Sequence, residues 1–372
     1  MSVARFKRFA HVFPVKGYNR AILYDLGRKA HFIIPNSFIG FLEFCESKSK
    51  EEIEESLQPK GIYPLEYFQF MMEKEFGFWT ETPDFFPPLN LDWQSPSHIT
   101  NLIWDVEGEQ LSTLVDWVKE LNVKALHLRF SEGNLRSELR KTIQAFEGSP
   151  LRSLEVAFPF SEVIDLPFLK DLLYDNPRIS MFIAHDAPAD GVDYLDERKA
   201  HFYIQTRSPL FYDPNRCLVN RYSFQVDSEL FIEAQSHHSY FNRKLYINTK
   251  GELRNAPECT TVFGNLNDIK NPKEILTLAG MGSLDQVAKS KTDICKDCEF
   301  RYMCVDNRLP KDRGNQQWYH SSPCNYNPYI SKWNDEPGFL SLEECEVKSN
   351  GQGFSMDEDK ISALNQRIWQ KA

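Results

Sequence analysis

Hydrophobic positions in the first third of the chain change period several times, and each change marks an element. Three short runs, His11–Val15, Ala21–Tyr24 and Lys29–Ile34, are separated by Gly17 and Gly27 and read as strands. Asn36 or Ser37 then caps a helix whose Phe38, Phe41, Leu42 and Cys45 recur at i, i+3, i+4 and i+7. Ser49, with Glu52 three residues on, is a capping box that opens a second helix carrying Ile53 and Leu57. Pro64 stands at the start of a third, with Leu65, Phe68 and Met72 along one face.

Residues 1–81 therefore predict a winged-helix-like module of three strands and three helices. Residues 82–96, TPDFFPPLNLDWQSP, hold four prolines and little periodicity, and read as a linker. Over residues 98–206 strand-like runs begin near Thr100, Val123, Arg152, Ile179 and His201. Between the first two lies a helix with the stripe Leu111, Leu114, Val115, Val118 and Leu121; later connections are Glu138–Phe146 and Pro167–Tyr174. Strands alternating with helices predict an α/β fold with right-handed crossovers and a parallel sheet. Four or five such units fall short of the eight of a closed barrel, so the expected form is an open or partial (β/α) barrel. Residues 207–240 have no clear pattern. Residues 241–331 are rich in turn formers and cysteine, and the tail 332–372 ends in a predicted helix, Asp357–Trp369.

Charge narrows the function classes. The formal net charge is −10, and Lys and Arg are scattered among Asp and Glu rather than gathered in a stripe. Such a chain is poorly suited to hold phosphate backbones, so no nucleic-acid partner is expected. No window approaches the 18 or more apolar residues of a membrane span, and MSVARFKRFAHVFPV lacks the apolar core of a signal peptide. A cytoplasmic protein without membrane partners is the expectation. The sequence has no GxxxxGK[ST], HExxH or GxSxG motif, and Gly280-Met-Gly282 lacks both a third glycine and a preceding strand. No catalytic residue is assigned. His185 reads as a polar strand-end residue and His237-His238 as a solvated loop.

The eight cysteines carry the chemistry. Seven follow residue 216, and Cys295, Cys298, Cys304 and Cys324 crowd into 30 residues. In a cytosolic chain such a set points to metal or catalysis rather than disulfides. Four thiolates on a loop-rich segment can hold an iron–sulfur cluster or a tetrahedral zinc, and soft sulfur ligands suit both. Without metal they are reduced or redox thiols. Cys45 lies on an apolar helix face and reads as core. Cys259 reads as a buried thiol, and Cys217 and Cys345 have no partner at a metal-ligand spacing.

Cys295-Lys-Asp-Cys298-Glu-Phe-Arg-Tyr-Met-Cys304, followed by Cys324-Asn-Tyr-Asn-Pro-Tyr, resembles the SPASM family. Most of the chain is similar to the peptide maturases of grasp-with-spasm systems, SPASM relatives of the radical SAM enzymes that modify ribosomally made peptides. The resemblance implies one [4Fe–4S] cluster on Cys295, Cys298, Cys304 and Cys324, with zinc as the alternative. SPASM domains usually carry a second cluster. Here Cys259 stands near one of its ligand positions, but Asn307 and Arg308 occupy another and no counterpart lies near Tyr240–Asn248. The CxxxCxxC that binds the S-adenosylmethionine-cleaving cluster is also absent: the loop after the first barrel strand is Glu107-Gly-Glu-Gln, and no cysteine lies between Cys45 and Cys217. No S-adenosylmethionine chemistry is therefore expected.

The N-terminal module is similar to the elements that capture leader peptides in these pathways by adding a strand to a sheet edge. Carried onto this sequence, the edge is Lys29–Ile34 and the supporting helix Pro64–Glu73, with Lys29, His31, Phe32, Ile33, Ile34, Tyr67 and Met71 as contact residues. That helix, PLEYFQFMMEKE, is aromatic and acidic, the opposite of a DNA-reading helix. The resemblance thus implies an accessory protein that binds a precursor's leader and presents it to an ATP-grasp ligase. Two other readings stay open: an iron–sulfur enzyme doing redox chemistry on the peptide, and a zinc-stabilised binding protein.

Overall fold

The computed structural model describes residues 3–57, 62–106, 111–131, 135–198, 201–208, 217–222 and 224–369. The chain forms two compact units, one of Met1–Trp93, Cys217–Ser239 and Val287–Ala372, the other of Gln94–Arg216 and Tyr240–Gln286.

The first unit begins with β1 (Arg5–Arg8), then an antiparallel meander of β2 (Val12–Lys16), β3 (Ala21–Asp25) and β4 (Ala30–Ile34) in that spatial order. Three helices follow, α1 (Asn36–Cys45), α2 (Lys50–Leu57) and α3 (Ile62–Glu73), and β5 (Gly77–Thr80) returns to pair antiparallel with β1. The local signals act as expected. α1 buries Phe38, Phe41, Leu42 and Cys45. The capping box closes on both sides, Ser49 N donating to Glu52 Oε2 at 2.7 Å and Glu52 N to Ser49 Oγ at 3.2 Å. The side chains of Leu57 and Pro64 lie outside the described residues.

All five residues of β3 are buried, because both faces of the strand are covered. Ala21 and Leu23 join the cluster formed with α1 and α3, whereas Ile22 and Tyr24 join one that contains Phe300, Met303 and Tyr326. The N-terminal elements are therefore continuous with the cysteine segment, not a separate domain. At the β2–β3 turn a Cβ on Gly17 would lie 2.6 Å from Arg20 O and 2.9 Å from Glu299 N, a gap that only glycine fits.

The second unit is built on a nine-stranded sheet. Its first strands are β6 (Asn101–Val106), β7 (Ala125–Phe130), β8 (Ser153–Pro159) and β9 (Ile179–His185), with α4 (Leu111–Glu120), α5 (Leu135–Ala145) and α6 (Leu166–Asp175) between them. Then come β10 (Gly191–Tyr194), β11 (Phe202–Gln205), β12 (Lys244–Ile247), β13 (Glu252–Arg254) and β14 (Gly264–Asn265). The order is β10-β11-β9-β8-β7-β6-β12-β13-β14, with the run from β11 to β12 parallel and both margins antiparallel. The five strands expected over residues 98–206 are all present. The stretch 241–331 is divided: its first part, through β14, completes this sheet, and its four clustered cysteines belong to the first unit.

Alternate residues explain which face is covered. Leu102, Trp104, Leu126, Leu128, Leu154, Val156 and Phe182 form one buried cluster with Leu114, Val118, Leu139, Ile143, Leu169 and Leu172 of the helices. The residues between them face the other way and are largely polar. There Arg129 Nε lies 2.7 Å from Asp105 Oδ1, and Tyr246 donates its hydroxyl to Asp105 Oδ2 at 2.6 Å. His127 Nδ1 is 3.6 Å from Glu155 Oε2, yet burial, then Arg129 and Lys244, lower the imidazole pKa to about 3.

That depression makes a stability prediction. The unfolded His127 takes up a proton near pH 6.5 and the folded one does not until about 3. Stability is therefore complete above the unfolded value and is lost as pH falls through this window. Between pH 7 and 4.5 the parent should lose on the order of 2–3 kcal/mol more than His127→Gln. Urea unfolding of both at the two pH values measures it, and parallel losses would refute it.

The first unit resumes with α7 (Ser228–Glu233) and three hairpins, β15 (Pro310–Gly314) with β16 (Gln317–His320), β17 (Tyr326–Asn327) with β18 (Lys332–Trp333), and β19 (Lys348–Asn350) with β20 (Gly353–Ser355). It ends in α8 (Glu358–Trp369), close to the predicted helix. Among the described residues no helix is long and apolar enough to cross a membrane.

Candidate metal centre

The CxxC lies on a single helical turn, Cys295–Asp297, entered through a γ-turn. Cys295 N donates to Asp293 O at 2.7 Å across Ile294, whose φ is +68° and ψ −49°. This conformation is strained, above all for a β-branched residue, and it persists only where neighbours hold it. Asp293 supplies the hold: buried itself, its carboxylate is engaged by Arg313, by Ser349 Oγ at 2.9 Å and by Lys296 at 3.5 Å. Cys304 is held by its own carbonyl, which accepts from Ser239 Oγ at 2.5 Å.

Cys295, Cys298, Cys304 and Cys324 all line one cavity of about 530 Å³. Burial raises the thiol pKa of Cys295, Cys298 and Cys304; for Cys324 the neighbouring Cys217 sulfur comes first and burial second. A metal would have to displace those protons, so binding would release them.

Around the thiols sits a set of buried charges. Asp306 Oδ2 is 2.6 Å from Lys289 Nζ and 2.8 Å from Arg308 Nη2, and its Oδ1 is 3.0 Å from Arg308 Nε. Burial alone would raise the Asp306 pKa, but Arg308 and Lys289 hold it well below the usual carboxylate range. Two cations against one carboxylate leave one positive charge beside the cavity. Arg308 Nη2 also reaches Cys295 Sγ at 3.9 Å. The site is thus prepared for negative sulfur: a four-thiolate centre carries excess negative charge, and donors to its sulfurs stabilise it.

A second arrangement could hold an ion. The ligand atoms of Cys295, Asp306 and His320 lie within 4.8 Å of one another. However, both Asp306 oxygens already serve Lys289 and Arg308, and a dication there would sit against two buried cations. Burial and then Arg308 lower the His320 pKa to about 3, so it stays a neutral neighbour.

No protein-family model matches the chain, and no curated protein sequence matches it. The resemblance to SPASM proteins rests on the residues alone.

The remaining predicted residues fall as follows. Cys45 and Cys259 are buried, with burial pushing their thiols up to about 12 and about 11. Cys345 is buried and accepts from Asn327 Nδ2 at 3.4 Å. Arg308, at a position where the family places a ligand, is the cation clamped to Asp306. Sequence reasoning missed Cys217, which stands beside Cys324, its carbonyl accepting from Asn325 Nδ2 at 3.2 Å; only long-range folding joins them. It also missed Lys289, which resembles any other lysine in sequence. His238 is fully buried, not solvated as its polar neighbourhood suggested. On the N-terminal edge, Lys29, His31 and Ile33 are exposed, while Phe32 and Tyr67 are half-buried. Tyr67 Oη lies 2.6 Å from Ser37 Oγ. Ile34 and Met71 lie in the core and support the surface instead of forming it. The loop Glu107–Gln110 lies outside the described residues.

Proposed function

We propose that this protein is an accessory factor in the maturation of a ribosomally made peptide, holding one [4Fe–4S] cluster on Cys295, Cys298, Cys304 and Cys324. The convergence of these four thiols on one cavity, beside a buried cation excess, carries the reading. The SPASM-like spacing of the four cysteines selects a cluster over a single zinc in this reading.

The precursor's leader would add to the edge of β4, which among the described residues pairs only with β3, with Lys29, His31 and Ile33 exposed along it. In this reading the N-terminal elements serve as a winged-helix-like recognition module and the parallel sheet is a partial barrel without S-adenosylmethionine chemistry. The partner is an ATP-grasp ligase in the cytoplasm, and tethering raises the local concentration of the core peptide.

Two measurements test the proposal. Iron, acid-labile sulfide and zinc are determined on protein purified without oxygen; about four irons with equal sulfide is expected, and zinc alone removes the cluster. Binding of a labelled candidate leader peptide is followed by fluorescence anisotropy. Ile33→Asp, an exposed site, should weaken it by at least about tenfold; unchanged affinity would remove the β4 edge as the docking site.

A further inference from the structure

Four thiolates complete either kind of centre, and the structure places a fifth thiol beside them. The side chains of Cys217 and Cys324 are neighbours, and each moves the other's thiol pKa, Cys217 down and Cys324 up. The contact is built by the backbone around it. Asn325 Nδ2, on the residue after Cys324, donates to Cys217 O at 3.2 Å and to Val219 O at 2.9 Å. Leu218 N donates to Asn307 Oδ1 at 2.9 Å, three residues after Cys304. Val219 is buried in the same cluster as Phe300 and Tyr326. Cys217 is thus fixed at its place by residues that neighbour two of the four candidate ligands. Both residues are half-buried.

We propose that Cys217 is the redox partner of Cys324: when the metal site is empty, the two form a reversible disulfide that closes it. The oxidant is a low-molecular-weight disulfide. The Cys217 thiolate attacks one of its sulfurs and releases one thiolate, leaving a mixed disulfide on Cys217. The Cys324 thiolate then attacks the Cys217 sulfur and expels the second. Two protein thiols lose two protons and two electrons, and the small disulfide becomes two thiols. A dithiol reductant reverses the sequence. The bond keeps an empty site off the irreversible steps of cysteine oxidation and bars metal from a set that lacks one ligand. With metal bound, Cys324 is occupied and the exchange does not start.

The effect on metal uptake rests on Cys324 being a ligand, as proposed above; the disulfide itself does not. Full-length protein is freed of metal with a chelator, reduced, desalted and exposed to glutathione disulfide. It is then alkylated, digested without reduction and mapped by mass spectrometry, beside a metal-loaded sample and Cys217→Ser. Expected is a Cys217–Cys324 linked peptide in the metal-free parent alone, loss of zinc or iron uptake, and return of uptake with dithiothreitol. In Cys217→Ser, uptake should survive the same exposure, which also shows that the variant folds. Linkage within Cys295, Cys298 and Cys304 while Cys217 is alkylated as a free thiol would overturn the proposal. A Cys217–Cys324 link that leaves uptake unchanged would support the pairing and overturn the assignment of Cys324 as a ligand.

Discussion

Asp306→Asn is expected to lower the unfolding free energy of the metal-free protein by about 3–5 kcal/mol, the usual result of stripping one partner from a buried ionic set. Lys289 and Asp306 are each 1% exposed at the side chain and Arg308 is 5% exposed, so little water is available to replace the lost carboxylate. Asparagine keeps the shape and some hydrogen bonds but leaves two cations facing each other. The loss should be smaller in metal-loaded protein, because a four-thiolate centre around Zn²⁺ or a [4Fe–4S]²⁺ core is doubly negative and compensates both. Urea unfolding with and without metal reads this difference. An equal loss in both states would show that the cations do not serve the thiolates. Lys289→Met, which removes a cation and keeps the volume, should cost less.

Cys304→Ala should abolish stoichiometric metal and, with it, the stability that metal confers, about 4 kcal/mol at a free concentration one thousandfold above Kd. The effect is large because the segment from Val287 to Cys324 has only short strands and single helical turns of its own. Its cohesion comes from the cluster around Phe300, Met303 and Tyr326 and from whatever joins the four thiols. Cys259→Ala is the matched control: it opens a buried space in the second unit and should leave metal content unchanged. Metal analysis and thermal melts of both variants make the comparison. Full metal retention by Cys304→Ala would shift the site to Cys295, Asp306 and His320.

The two faces of β3 show how the N-terminal elements and the metal segment depend on each other. Arg20 Nε binds Glu299 Oε1 at 2.7 Å, Tyr326 donates to the same oxygen at 2.5 Å, and Tyr24 donates to Glu299 O at 3.0 Å. Glu299 follows Cys298 directly and Tyr326 lies two residues after Cys324. The strand next to the proposed docking edge is thus bonded to the loops that carry the thiols.

Local order could be read from the residues alone. The helical stripe of α1, the capping box of α2 and the strands of residues 98–206 each follow from a period of 3.6 or 2, which depends only on near neighbours. The CxxC and its two following cysteines announced thiolate chemistry for the same reason, since that spacing is carried by one short segment. The unbroken apolar run Ala21-Ile-Leu-Tyr24 also held a sign that both faces of its strand are covered. Tertiary structure decided the rest. No local rule ties Cys217 to Cys324, sets Lys289 and Arg308 on one carboxylate, or sends β12–β14 to the large sheet while the cysteines join the N-terminal strands. These depend on which surfaces exclude water together. There a buried charge or thiol finds its partner by shape and desolvation, not by distance along the chain.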